Sequence, residues 1–145
     1  HVHGFVALAG PADGVIAVLP PDASEPEPAA VDRIVQLHGD RLGRLGDSEG
    51  ASPEPGSWRI ETVGVLPARQ GRGLASELIR FALAEGARRG AGRFALDTSD
   101  ERNVRLYERH GFTVVSRVDP PDGPPVWGMS AVVADAAPAN GRTRA

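Results

Sequence analysis

Residues 65–75 carry the residue types and spacing of an anion-binding loop. They read Val-Leu-Pro-Ala-Arg-Gln-Gly-Arg-Gly-Leu-Ala, so an apolar run ends at proline and a helical pattern starts after the glycines. The first backbone N–H groups of a helix have no partner within it, and glycines at positions 71 and 73 let the chain curl so that these groups converge on an anion. Arg69 and Arg72 add positive charge, and Ala75 keeps the first turn small. The pattern predicts a diphosphate site.

Two familiar phosphate loops do not fit this stretch. A P-loop ends in Gly-Lys-Ser or Gly-Lys-Thr, and the chain contains no lysine. A dinucleotide-binding fingerprint needs a third glycine in the frame Gly-x-Gly-x-x-Gly, and Ser76 stands at that position. A strand-to-helix turn without a ligand remains the alternative to a diphosphate loop of another kind.

A second group of polar residues follows about thirty positions later. Asn103 and Tyr107 lie four residues apart on a predicted helix, so they share one face of it. The sequence then continues through Gly111-Phe112 into a predicted strand. The two segments occur in this order with one short predicted strand between them.

Together, these segments resemble the signatures of GNAT N-acetyltransferases. Gln70-x-x-Gly73-x-Ala75 resembles the family's coenzyme A pyrophosphate motif, and residues 103–112 resemble its second signature. The match covers about residues 58–130, and within the family it is most similar to puromycin N-acetyltransferase and its actinobacterial relatives. The resemblance implies an α/β protein with a GNAT-type acyl-CoA acyltransferase fold. In that fold, helices flank a mixed, mostly antiparallel sheet with a splayed central parallel pair.

The resemblance also implies roles for individual residues. The cosubstrate would be acetyl-CoA, and Tyr107, protonated at neutral pH, would donate a proton to the departing thiolate. Glu61, placed by strand alternation on the same face as Val63, is a candidate general base, although an exposed strand carboxylate is an equal reading. The expected cofactor-binding residues are Val63, Gly64, Val65, Arg69, Gln70, Gly71, Arg72, Gly73, Leu74, Ala75 and Asn103.

The helices and strands that position these residues are predicted from the spacing of apolar residues and from the glycines and prolines that mark the ends of each element. We expect a single domain over residues 1–133, which lacks the usual first strand and helices of the family, and a disordered tail over residues 134–145. Strands are expected at 1–9, 14–19, 58–66, 94–98, 112–118 and 126–133, and helices at 29–44, at 73–89 and from Ser99 or Asp100 to about Gly111. Residues 46–57 are expected to form a loop.

Composition excludes several functions. Without cysteine or lysine, the chain has no disulfide, thiolate metal site or Schiff-base lysine, and its net charge of −3 argues against general nucleic-acid binding. No apolar run approaches the roughly 20 residues of a membrane span, and no signal-peptide pattern is present, so we expect a cytoplasmic protein. His1 and His3 have no partner at metal-ligand spacing, and we expect no metal site; His110 is expected in a solvated last helical turn.

The sequence leaves the acceptor open. The first hypothesis is acetylation of a small-molecule amine by direct attack in a ternary complex. The alternatives are acetylation of a protein or peptide amine, and a non-catalytic module that senses coenzyme A. If the elements that usually wall the acceptor site are absent, rather than trimmed or disordered, a partner subunit, as in a homodimer, is one way of completing that site.

Overall fold

The computed structural model describes residues 4–23 and 52–133, and the structural statements below concern these residues. These residues form six strands and two α-helices. They are β1 (Phe5–Ala9), β2 (Gly14–Leu19), β3 (Trp58–Val65), α1 (Leu74–Arg88), β4 (Arg93–Thr98), α2 (Glu101–Glu108), β5 (Thr113–Val118) and β6 (Val126–Val132). The predicted helix over residues 29–44, the predicted tail and most of the predicted loop over residues 46–57 lie outside the described residues.

The strands form one mixed sheet in the order β1-β2-β3-β4-β6-β5. Four of the five neighbouring pairs are antiparallel, and β3 and β4 form the parallel pair at the centre. The first hairpin turns at Gly10 and Ala12, which both have positive φ, and the Asp13 N–H donates to the Ala9 carbonyl at 2.9 Å. These observations confirm the predicted α/β class and its mixed sheet.

The parallel pair separates soon after it forms. β3 and β4 are aligned only at Trp58 with Phe94 and at Arg59 with Ala95, although the strands contain eight and six residues. Beyond Arg59, the β3 backbone therefore has no aligned β4 partner. This divergence leaves an open gap in the middle of the sheet, as the resemblance implied.

A β-bulge interrupts β3 at Glu61. Ala17 of β2 is opposite Thr62, whereas the next residue, Val18, is opposite Ile60, so Glu61 is an extra residue without a partner on β2. Glu61 and Thr62 are both exposed. A bulge of this kind breaks the regular alternation of side chains between the two faces.

The bulge overturns the predicted position of Glu61. Ile60 is opposite Val18 and Val63 is opposite Ile16, so these apolar residues share one face of the sheet although Ile60 and Val63 are three positions apart. Val18 and Ile16 are fully buried on that face. Glu61 lies on the other face, and the expectation that it shares a face with Val63 was wrong because strict alternation does not hold across the bulge.

Both helices pack on the same face of the sheet and build the core there. α1 contributes Leu78, Ile79 and Ala82 to a single buried cluster, and α2 adds Val104 and Tyr107. The apolar residues recur at helical spacing, which explains why these segments form helices with one buried side. The opposite face of the sheet carries no described helix and bears the polar side chains of the central strands.

Candidate functional site

The N-terminus of α1 has no side-chain cap. Its N-cap residue is Gly73, at φ +79°, and no side chain bonds to the helix start. Gly71 also has a positive φ, +76°, so both glycines adopt the left-handed conformation that other residues enter only at a cost. The first backbone N–H groups of the helix therefore face outward without a side-chain partner, which is the arrangement that binds an anion.

This helix start opens into a cleft of about 570 Å³, which we call the glycine cleft. Its walls are the end of β3, the glycine loop, the first turn of α1 and one face of α2. Among the predicted cofactor and catalytic residues, Val63, Gly64, Val65, Arg69, Gln70, Gly71, Gly73, Leu74, Ala75, Asn103 and Tyr107 line it. Arg72 and Glu61 are the predicted residues that do not. One cleft thus collects residues from two separate segments of the chain, 63–76 and 100–109.

Two predicted phosphate ligands instead hold the loop in place. Gln70 folds back so that its Nε2 donates to the Val65 carbonyl at 3.2 Å, which ties the loop to the end of β3. Arg69 Nε lies 3.4 Å from Asp13 Oδ1 in the β1–β2 turn. The Asp13 carbonyl also accepts a bond from the Leu66 N–H at 2.8 Å. These contacts tie the glycine loop to the end of β3 and to the β1–β2 turn.

Sequence reasoning missed two arginines of the glycine cleft. Arg102 and Arg109 line it from the α2 side, seven positions apart and therefore about two helical turns apart. Arg102 is oriented by Asp100, whose Oδ2 lies 2.9 Å from its Nη2. The side-chain and backbone hydrogen bonds from Arg102 lower the pKa of Asp100, which also caps α2. The seven-residue spacing beside Asn103 was the signal that could have revealed these cations.

Tyr107 lines the glycine cleft and is a buried residue. Its side chain is largely buried, and its ring packs edge-on against Phe112 with 5.7 Å between ring centroids. Burial raises the pKa of the Tyr107 hydroxyl above its ordinary value, because the phenolate would lose solvation. The hydroxyl is therefore protonated at neutral pH and can serve as a proton donor within the cleft.

His110 is not in a solvated turn as predicted. It is half-buried after the end of α2, and its Nε2 lies 3.0 Å from the Ser76 hydroxyl oxygen in the first turn of α1. Burial, followed by the positive charges of Arg80 and Arg109, lowers the pKa of His110. The expectation was wrong because it considered only α2, whereas α1 covers this end of the helix.

A second polar group occupies the opposite face of the sheet. Arg59 Nε lies 2.7 Å from Glu61 Oε1, and Arg59 Nη2 lies 3.1 Å from Asp97 Oδ2. Arg59 and Asp97 line a separate cavity of about 210 Å³, which we call the strand-face cavity. Sequence reasoning singled out neither residue, because both belong to segments that predict ordinary strands.

Two further findings concern the described residues alone. Residues 4–23 and 52–133 contain no group of three or more His, Asp or Glu side chains placed to hold a metal ion. In the same part of the chain, neither helix has the length and apolar character needed to cross a membrane.

The chain belongs to the acetyltransferase (GNAT) family, since residues 29–112 match the family model. Similar solved structures include a Corynebacterium glutamicum protein described as histone acetyltransferase HPA2 and related acetyltransferase, at 25% identity and a TM-score of 0.65, covering 92% of this chain and 66% of that chain. A nourseothricin acetyltransferase matches at 20% identity with a TM-score of 0.55, covering 90% of this chain and 65% of that one. The IAA acetyltransferase from Bacillus cereus matches at 15% identity and a TM-score of 0.55, covering 90% and 78%.

These matches confirm the predicted GNAT fold. The chain spans about two thirds of the length of the Corynebacterium and nourseothricin structures. The less similar matches carry information about the fold alone.

Proposed function

We propose that the protein transfers an acetyl group from acetyl-CoA to the amine of a small molecule, by direct attack within a ternary complex. One observation carries the proposal: the end of β3, whose backbone has no aligned β4 partner, and the uncapped start of α1 line the same glycine cleft. A cosubstrate with a diphosphate at one position and an extended amide-containing arm at the next is complementary to both features.

The residues of the glycine cleft fit this cosubstrate. Backbone N–H groups after Gly73 would bind the diphosphate, with positive charge from Arg102 and Arg109 nearby. The backbone of residues 63–65 has no aligned partner on β4, so the pantetheine arm can pair with it in the manner of an added strand. Asn103 would contact the arm further along.

The chemistry requires a neutral amine, an oxyanion donor and a proton for the leaving thiolate. As the amine nitrogen bonds to the acetyl carbon and the carbon–sulfur bond breaks, Tyr107 would give its proton to the sulfur. A backbone N–H near Val63 or Val65 would stabilise the carbonyl oxygen. Glu61 would accept the amine proton, and its position on the face opposite the helices requires the amine to approach from that side.

Two observations support a small-molecule acceptor rather than a protein or peptide amine. The sequence resembles puromycin N-acetyltransferase and its actinobacterial relatives around β3, the glycine loop and Trp127-Gly128-Met129. One structural neighbour is named for nourseothricin, also a small molecule. We therefore place the acceptor among antibiotic amines or biosynthetic intermediates.

Two measurements on the purified protein test the proposal. Isothermal titration with acetyl-CoA measures cofactor binding, and thiol release measures turnover on a panel of small primary amines and peptide N-termini. The proposal predicts binding together with turnover on small amines. Absence of binding would reject enzymatic readings altogether, binding without turnover would indicate a coenzyme A-sensing module, and turnover on peptides alone would indicate a protein acetyltransferase.

A further inference from the structure

The arginines that line the glycine cleft differ in their partners. In the described part of the chain they are Arg69, Arg102 and Arg109. Arg69 is paired with Asp13 of the β1–β2 turn. Arg102 is paired with Asp100 at the start of α2. Arg109 forms no ion pair with any residue of 4–23 or 52–133, so the α2 side of the cleft keeps a positive charge that no described carboxylate balances.

A second arginine of this kind lies on α1. Ser76 lines the glycine cleft from the first turn of the helix, and Arg80 follows it four residues later on the same side of the helix. Within the described ranges Arg80 has no ion pair, and neither has Glu77, the carboxylate three positions before it. Two helices therefore bring unbalanced arginines towards Ser76.

His110 shows that both positive charges act at this place. Its Nε2 lies 3.0 Å from the Ser76 hydroxyl oxygen. After burial, the charges of Arg80 and Arg109 are the causes that lower the pKa of His110, and no described carboxylate opposes them. Positive charges disfavour a protonated imidazole and favour a bound anion for the same reason. The surroundings of Ser76 thus suit a negatively charged group.

This positive region lies beyond the helix start that would bind the diphosphate. Gly73 caps the helix, and Ser76 and Arg80 lie about 4.5 Å and about 10.5 Å further along its axis. A ligand with a diphosphate alone would leave the second region unfilled. Coenzyme A carries, besides its diphosphate, a phosphate monoester on the ribose of its adenosine.

We propose that Arg109 and the Ser76 hydroxyl bind this phosphate monoester, with Arg80 adding positive charge. The assignment rests on the proposed acetyltransferase function and deepens it by naming residues that select coenzyme A over dephospho-coenzyme A. The planar guanidinium of an arginine donates two parallel hydrogen bonds to a phosphate. With its Nε2 protonated, His110 donates to Ser76 and leaves the hydroxyl proton for a phosphate oxygen.

Isothermal titration with coenzyme A and with dephospho-coenzyme A tests the subsite, because the two ligands differ only in the phosphate monoester. The wild type should bind coenzyme A about tenfold more tightly, as expected for charge-assisted hydrogen bonds. Because Arg109 is exposed, this preference should shrink as the salt concentration rises. Equal affinities at low salt would overturn the subsite and leave cofactor binding intact. Absence of binding by both ligands would reject the proposed function as well.

Substitutions of Arg109 locate the phosphate. Arg109→Gln should raise the Kd of coenzyme A about tenfold, to that of dephospho-coenzyme A, whose own Kd should change little. Arg109→Lys keeps the charge and should retain part of the preference. Arg105→Gln is the matched control, because it removes an exposed arginine of the same helix that is paired with Glu101 outside the glycine cleft. An equal loss of affinity for both ligands in Arg109→Gln would assign Arg109 to the diphosphate and contradict the proposal.

The imidazole of His110 gives a readout that a purely structural role of Arg109 would not move. A phosphate beside Ser76 offsets the charges of Arg80 and Arg109, so coenzyme A should raise the pKa of His110 towards its ordinary value. Dephospho-coenzyme A should raise this pKa less. NMR titration of the ring signals, assigned with His110→Gln, measures the pKa in both complexes. The same pKa with either ligand would refute a phosphate at Ser76.

Discussion

His110 joins the two helices beside the glycine cleft, with its Nε2 3.0 Å from the hydroxyl oxygen of Ser76. Ser76 belongs to the first turn of α1 and lines the cleft, while His110 follows the end of α2. The contact fixes the uncapped helix start relative to the helix that carries Tyr107. The contact between His110 and Ser76 thus connects the predicted diphosphate site with the helix of the predicted proton donor.

The lowered pKa of His110 predicts acid sensitivity. Since the folded state binds this proton less tightly than the unfolded chain, the contribution of His110 to the free energy of unfolding is complete above about pH 6.5 and is lost as the pH falls towards the lowered pKa. Urea unfolding of the wild type and of His110→Gln from about pH 8 to about pH 5 measures this. The difference in free energy of unfolding between the wild type and His110→Gln should become smaller as the pH falls. A difference that stays constant would contradict the lowered pKa of His110.

Because Gly73 is in the left-handed conformation, its replacement should lower both the stability of the protein and its affinity for coenzyme A. Gly73→Ala should destabilise the protein by about 1–2 kcal/mol, because alanine at positive φ is strained, and should weaken coenzyme A binding about tenfold as the helix start shifts. Gly90→Ala, at φ +99° and outside the glycine cleft, should also lose stability but keep its affinity. Urea unfolding and isothermal titration measure the two quantities. Matching affinities in the two variants would argue against an anion site at Gly73.

Much of the fold is readable from sequence because glycine and proline mark the ends of its elements. Gly90 and Gly111 have positive φ just beyond the helices, and β3 ends before Pro67. Most of the glycine cleft was also predictable, apart from Arg102 and Arg109, since its residues are grouped in two short segments. Of the expected cofactor-binding residues, only Arg72 lies outside it.

The remaining features depend on contacts between distant segments. The bulge at Glu61 inserts one residue into the pairing with β2, and two successive polar residues, Glu61 and Thr62, give no sign of where the alternation breaks. The contact of His110 with Ser76 joins residues 34 positions apart. Asp97 on β4 is opposite Gly128 on β6, and this pairing places both residues in the wall of the strand-face cavity. Periodicity along the chain does not report such pairings.

The close packing of Gly86 predicts a purely structural effect. Gly86 is buried on α1, and a Cβ there would collide with the Phe94 ring. Gly86→Ala should therefore destabilise the protein by about 1–3 kcal/mol despite the better helix propensity of alanine. The added substitution Phe94→Leu should recover part of that loss in urea unfolding. A Gly86→Ala variant as stable as the wild type would show that the ring moves aside freely.

Replacement of Tyr107 tests the proposed proton donor. Tyr107→Phe should reduce kcat by about a hundredfold, the lower range for general acid catalysis, with unchanged acetyl-CoA affinity. Stability should change little, because the ring can keep its packing against Phe112. Steady-state kinetics, titration calorimetry and urea unfolding measure these three effects, and an unchanged kcat would remove the proposed role.

The pH dependence of the wild type gives an independent check on Tyr107. It is the single tyrosine of the chain, so tyrosinate absorbance reports its pKa directly. Burial raises that pKa, and the proton needed by the thiolate should therefore remain available until the pH exceeds about 10. The kcat profile should fall on the alkaline side only where tyrosinate forms. A decline in kcat well below that pH, and equally present in Tyr107→Phe, would assign the alkaline limb to another group.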